Sequence, residues 1–221
     1  MTRKLQAGRR GPKSGKTKSV VVFLHGYGAD GADLLGLADP LAPHLPDTLF
    51  VAPDAPEPCS GNPFGRQWFS IPWLDGSTDA EAAAGLDLAA RDVNAFLDDL
   101  LEETGVTPLK MAVIGFSQGT MMALQVIPRR AKPIAGIVGF SGRLLQPEKL
   151  AAEAVSKPPV LLLHGDADPM VPFADMGLAA DTLVAAGFET YAHVMKGTGH
   201  GIAPDGLSVA LGFLKDCLER A

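Results

Sequence analysis

The residues with the clearest chemical potential are Ser117, Asp168 and His200. A serine hydroxyl is a poor nucleophile until a neighbouring base takes its proton, and an imidazole does this only when neutral and held in one tautomer. A carboxylate on the far ring nitrogen fixes that tautomer, so the three side chains form a chemical unit however far apart they lie in sequence. Ser117 sits in Gly115-Phe116-Ser117-Gln118-Gly119, a G-x-S-x-G pattern between an apolar run and a helix-forming segment. Where a strand turns sharply into a helix, this pattern lifts the hydroxyl above the sheet edge, and the free N–H groups of the helix start suit a developing oxyanion. A Cβ at Gly115 or Gly119 is expected to collide with the adjacent strand or helix. The five-residue pattern alone is common, so the surrounding elements decide its meaning.

Those elements alternate. Apolar runs at Ser19–Leu24, 48–52, 109–115, 134–140, 159–163 and 189–195 read as six parallel strands, with amphipathic segments between them. Thr78-Asp79-Ala80-Glu81 reads as a capping box opening a helix that Gly105 and Pro108 close. Further helices are expected around Leu34–Leu41, over 118–127 and 173–186, and from Pro204 onward. The pattern predicts a single α/β domain over 1–221, a three-layer sandwich around a mostly parallel sheet, with ligands at the strand carboxyl edge. Ser117, Asp168 and His200 each follow a predicted strand, so all three gather on that edge. Their order, Ser…Asp…His, is that of the α/β-hydrolases.

Each assignment has rivals. Among the five histidines, His25 and His164 end strands in His-Gly turns, His193 falls mid-strand, and His44 lies in a proline-rich loop. His200, flanked by glycines, is taken as the base. Asp166 competes with Asp168 as the acid, but is expected to cap its own turn. The oxyanion donors expected from position are the backbone N–H groups of Gln118 and Tyr27, the latter in the glycine-rich turn after the first strand. Residues 53–77 form a long loop holding Trp68, Phe69 and Trp73, expected to line the substrate pocket. That loop is too short for a large lid.

Bulk properties exclude other classes. The chain has 221 residues, 47% hydrophobic and 20% charged, with a net charge of −6, which argues against nucleic-acid binding. Positive charge gathers at Arg3, Lys4, Arg9, Arg10, Lys13, Lys16 and Lys18, read as a solvated arm or edge hairpin over 1–19, with a short strand near residues 3–7. Gly11-Pro12-Lys13-Ser14-Gly15-Lys16-Thr17 lacks the glycine spacing and preceding strand of a phosphate loop. The cysteines, Cys59 and Cys217, suggest neither a disulfide framework nor a metal site, and no metal or cofactor is expected. No apolar run approaches the ~18 residues of a membrane span. A cytoplasmic setting without stable membrane insertion is therefore expected, with a homodimer left open.

The chain resembles the carboxylesterase/phospholipase family of α/β-hydrolases, which includes acyl-protein thioesterases. The resemblance rests on FLHGYGADG (23–31), WFS (68–70), GFSQG (115–119), HGDADPMVP (164–172) and GHGI (199–202). It implies Asp168 as the acid, Tyr27 and Gln118 as oxyanion donors, and Trp68 as an acyl-pocket tryptophan. Ser70 stands where that family often has an acidic residue, and GTGHGI is closer to its bacterial esterases. The expected activity is hydrolysis of small carboxylic esters, with thioesters and lysophospholipids as related substrates. A peptidase or dienelactone-type hydrolase, or a binding protein on the same fold, are the competing readings.

Overall fold

The apolar runs become the interior of a seven-stranded sheet in a computed structural model that describes residues 2–220. In chain order the strands are β1 (Ala7–Arg10), β2 (Ser19–Leu24), β3 (Thr48–Pro53), β4 (Glu57–Cys59), β5 (Asn62–Gln67), β6 (Met111–Phe116), β7 (Gly136–Phe140), β8 (Val160–Gly165) and β9 (Thr190–Met195). The sheet runs β1-β3-β2-β6-β7-β8-β9, and β4 and β5 form a separate antiparallel hairpin. All sheet pairings are parallel except β1 on β3.

Helices cover both faces: α1 (Gly31–Leu35), α2 (Ala38–Leu41), α3 (Pro72–Asp75), α4 (Asp79–Thr104), α5 (Gln118–Val126), α6 (Pro147–Glu153), α7 (Ala174–Ala185) and α8 (Pro204–Glu219). Strand residues alternate between two cores, as period-two side chains must. Val20, Val22 and Leu24 join α4, α5 and α7 on one face, whereas Val21 and Phe23 join α1, α2 and α8 on the other. The expected three layers are present. The Thr78–Glu81 capping box opens α4 and left-handed Gly105 closes it, the N-cap contributing about 1 kcal/mol. Among the described residues no helix is long and apolar enough to cross a membrane.

The N-terminal segment departs from its reading. Its strand is Ala7–Arg10, not residues 3–7, and it pairs antiparallel at the sheet edge. Four of its seven cations are paired, not simply solvated. Arg3 donates through Nε to buried Asp92 of α4 at 2.7 Å and also pairs with Glu57. Arg9 pairs with Glu103, Arg10 with Asp39 and Lys18 with Asp47. Part of the α4 carboxylate face is thereby occupied. Residues 53–77 are also not structureless: they hold the β4–β5 hairpin and the short helix α3.

Candidate active site

The strand β6 delivers Ser117 into a turn that few residues could adopt. Ser117 has φ 53° and ψ −115°, a region costing about 1–3 kcal/mol when a non-glycine residue occupies it. The neighbours hold it there. Its N–H donates to the Phe140 carbonyl at 2.8 Å, and its own carbonyl accepts from Met121 at 3.2 Å. A Cβ on Gly119 would overlap the Leu24 carbonyl, and one on Gly115 would overlap the Gly119 backbone. The expected collision is thus observed at both glycines, and it lets α5 start directly against β2 and β6.

Two neighbouring loops carry Asp168 and His200, the expected acid and base. Asp168 follows β8 and His200 follows β9, with His200 Nδ1 2.8 Å from Asp168 Oδ2. The Asp168 side chain is fully buried and that of His200 is 20% exposed. Asp168 Oδ1 also accepts from the Met170 and Val171 N–H groups at 2.8 and 3.0 Å. Burial pushes the Asp168 carboxyl up, but hydrogen bonds from His200, Val171 and Met170 outweigh it and hold the group below its ordinary value. Asp166 does not cap its own turn. Its Oδ1 accepts from Gly197 N–H at 2.6 Å, while Ala167 N–H donates to Thr198, so the two loops are laced together. The Phe116 and His200 rings lie 5.0 Å apart, bringing His200 beside the serine turn. Among the described residues no hydrogen bond joins His200 Nε2 to the Ser117 hydroxyl; such contacts often tighten only in a substrate complex.

The glycine-rich turn after β2 closes the site. A Cβ on Gly26 would lie 3.3 Å from Ser117 Cβ. Tyr27 lies in this turn and Gln118 opens α5, the positions from which the oxyanion donors are expected. The hairpin holds this turn from outside. Gly28 donates to the Arg66 carbonyl at 2.9 Å, Arg66 donates to Ala29 at 2.8 Å, and Asn62 Nδ2 donates to Gly28 at 2.9 Å.

The three aromatic residues separate. Trp68 is fully buried, so it presents no surface to a ligand, contrary to expectation. Its indole N–H donates to the His25 carbonyl and its backbone N–H to Gln118 Oε1, both at 2.9 Å. Gln118 Nε2 in turn donates to the Phe69 carbonyl at 2.8 Å. This amide bridge from the serine turn to the loop was not foreseen. Phe69 and Trp73 instead line a groove of about 260 Å³ together with Ile71, Leu86, Met121 and Leu145. Trp73 is 72% exposed at its rim.

The remaining histidines have other duties. His25 is buried, accepts the Ala55 N–H on Nε2 at 2.9 Å, and therefore donates from Nδ1 to the Gly26 carbonyl at 2.8 Å. Burial pushes its pKa below the ordinary 6.5, favouring the neutral ring that this pattern requires. His193 pairs with Asp205 at 2.9 Å, and His44 is exposed.

Comparison with known proteins bears on the family and the fold. The family profile for phospholipase/carboxylesterase matches residues 11–218. The chain is 29% identical over 203 residues to esterase YpfH of Escherichia coli strain K12, covering 92% of this chain and 84% of that one. It is 30% identical over 217 residues to acyl-protein thioesterase 1 of Saccharomyces cerevisiae, covering 91% and 94%. The crystal structure of esterase PE8 superposes with a TM-score of 0.92 at 45% identity, over 98% of this chain and 100% of that one. Acyl-protein thioesterase 2 of Zea mays gives 0.79 at 27% identity, over 96% and 99%.

Proposed function

We propose that this chain, which belongs to the phospholipase/carboxylesterase family, is a serine hydrolase cleaving carboxylic esters through an acyl-enzyme on Ser117. The observation that carries the reading is the His200–Asp168 contact of 2.8 Å beside the left-handed serine turn. Ser117 Oγ attacks the ester carbonyl while His200 Nε2 accepts its proton. Asp168, ionised and buried, keeps the His200 proton on Nδ1 and stabilises the imidazolium that forms. The Tyr27 and Gln118 N–H groups receive the oxyanion. His200 then protonates the leaving alcohol, and water releases the acid by the same route in reverse.

The apolar groove beside α5 suits the acyl part of a small ester. Thioesters and lysophospholipids present the same carbonyl, and the thioesterase relatives make them the next substrates to test. We place the enzyme in the cytoplasm, acting on a small-molecule ester.

The test compares wild type with Ser117→Ala on p-nitrophenyl esters of graded acyl length, beside an anilide and a lactone. A fall of about 10⁴-fold or more is expected for the serine variant, with fluorophosphonate labelling confined to Ser117. Unchanged ester turnover in the variant sinks the proposal. Faster cleavage of the anilide or lactone would shift it to a peptidase or lactone hydrolase.

A further inference from the structure

Behind Asp168 stands a second histidine that this mechanism leaves unused. His164, in β8, has a side chain only 1% exposed. Its Nε2 lies 3.0 Å from the Val171 carbonyl oxygen and 3.1 Å from Asp168 Oδ2, the same oxygen that holds His200. A carbonyl and an ionised carboxylate can only accept, so the nitrogen between them carries its proton. Val171 is thus held twice, its N–H by Asp168 Oδ1 and its carbonyl by His164. Residues 168–171 close onto β8 as a small ring of hydrogen bonds. Phe173 stands edge-on to the His164 ring, with centroids 6.1 Å apart, and restricts its rotation.

We propose that His164 is a positioning residue for the base: its Nε2–H, 3.1 Å from Asp168 Oδ2, holds the Val171 carbonyl and so fixes the turn whose N–H groups hold the Asp168 carboxylate and, through it, the orientation of His200. The proposal rests on the serine-hydrolase reading above. A histidine that only filled space could be replaced by an apolar side chain of similar size. One that donates can be replaced only by a side chain presenting an N–H at the same place. Glutamine does so, because its amide nitrogen reaches the Nε2 position; asparagine falls short.

The experiment measures kcat and KM on one p-nitrophenyl ester for wild type, His164→Leu, His164→Gln and His164→Asn, with thermal midpoints for each. Leu and Asn are expected to lower kcat about 10- to 100-fold, the size expected for loss of a hydrogen bond near a charged group, with KM within about twofold. Gln is expected to stay within about fivefold of wild type in kcat. Should Leu fail to fold, the Gln–Asn contrast decides alone. Equal kcat for Gln and Asn overturns the proposal, as does a loss that follows the thermal midpoint regardless of the side chain. Turnover that survives Ser117→Ala removes the serine-hydrolase reading and this proposal with it, whereas the His164 outcomes remove only the proposal.

Discussion

The serine turn and the cap over residues 57–76 flank one site but are built by opposite means. Around Ser117 the backbone is crowded on every side: Gly115, Gly119 and Gly26 each leave room for less than a methyl group or barely one. Around Trp73 and Phe64 the side chains are 72% and 90% exposed, so nothing packs over them. Between these regions run the two bonds of Gln118, the Trp68 indole bond to His25 and the Arg66 and Asn62 bonds to the turn after β2. The serine turn is therefore held by excluded volume, whereas the exposed rim at Trp73 and Phe64 hangs on the buried Trp68 and Phe69 and these bonds. Chemistry needs placement within a fraction of an ångström, whereas acyl recognition tolerates more play.

The contrast can be broken most severely at the crowded end. Gly119→Ala forces a methyl into the Leu24 carbonyl and should cost roughly 4 kcal/mol or more, read as loss of soluble folded protein or a steep fall in the denaturant midpoint. A stable, active variant would show that the turn has slack. At the joining bonds, Gln118→Leu strands the Trp68 N–H and Phe69 carbonyl, and a loss of about 3 kcal/mol is expected. Its KM should rise more for long acyl esters than for acetates, because the groove beside Phe69 loosens. Equal effects across the acyl series would place the damage at the reacting groups instead.

A milder test uses pH. His25 has its folded pKa depressed below 6.5 by burial, so its stabilising effect is present above the unfolded value and fades as pH falls below it. The thermal midpoint should therefore drop between pH 7 and pH 5, and less so in His25→Gln, whose amide oxygen can still accept the Ala55 N–H. Parallel pH curves for the two proteins would exclude His25 as the cause. The smallest effect is expected at the rim: Trp73→Ala should change stability by no more than ~0.5 kcal/mol, while KM for long acyl esters shifts severalfold. An unaltered KM profile would remove Trp73 from the substrate path.

How much of this was legible in the sequence depends on the range of the interaction. The turn at Gly115 and Gly119, the Thr78–Glu81 cap and the apolar strands are local patterns, and they appear where the sequence put them. The pairing of Arg3 with Asp92 and of Arg9 with Glu103 joins residues about ninety positions apart, and no local pattern announces it. Trp68 looked like a pocket wall because it is aromatic and sits on the functional edge; only the packing of the loop against His25 and Gln118 reveals it as an anchor. The hairpin had a turn signal in Ser60-Gly61 between its strands, but Pro58, Pro63 and Gly65 argue against strands there. Gly65 is needed because a Cβ would overlap the Gly28 carbonyl. The bond from Asp166 to Gly197 was hidden because two loops meet there.

Gln118 grips the loop through the main-chain N–H of Trp68 and the main-chain carbonyl of Phe69. Every amino acid except proline offers the same pair of atoms. The clasp is therefore blind to which side chains the loop displays, and Phe69 or its neighbours can be exchanged without releasing it. Under the proposed function, substrate preference could drift by substitution on one side of that clasp while the serine, on the other, stays where it is.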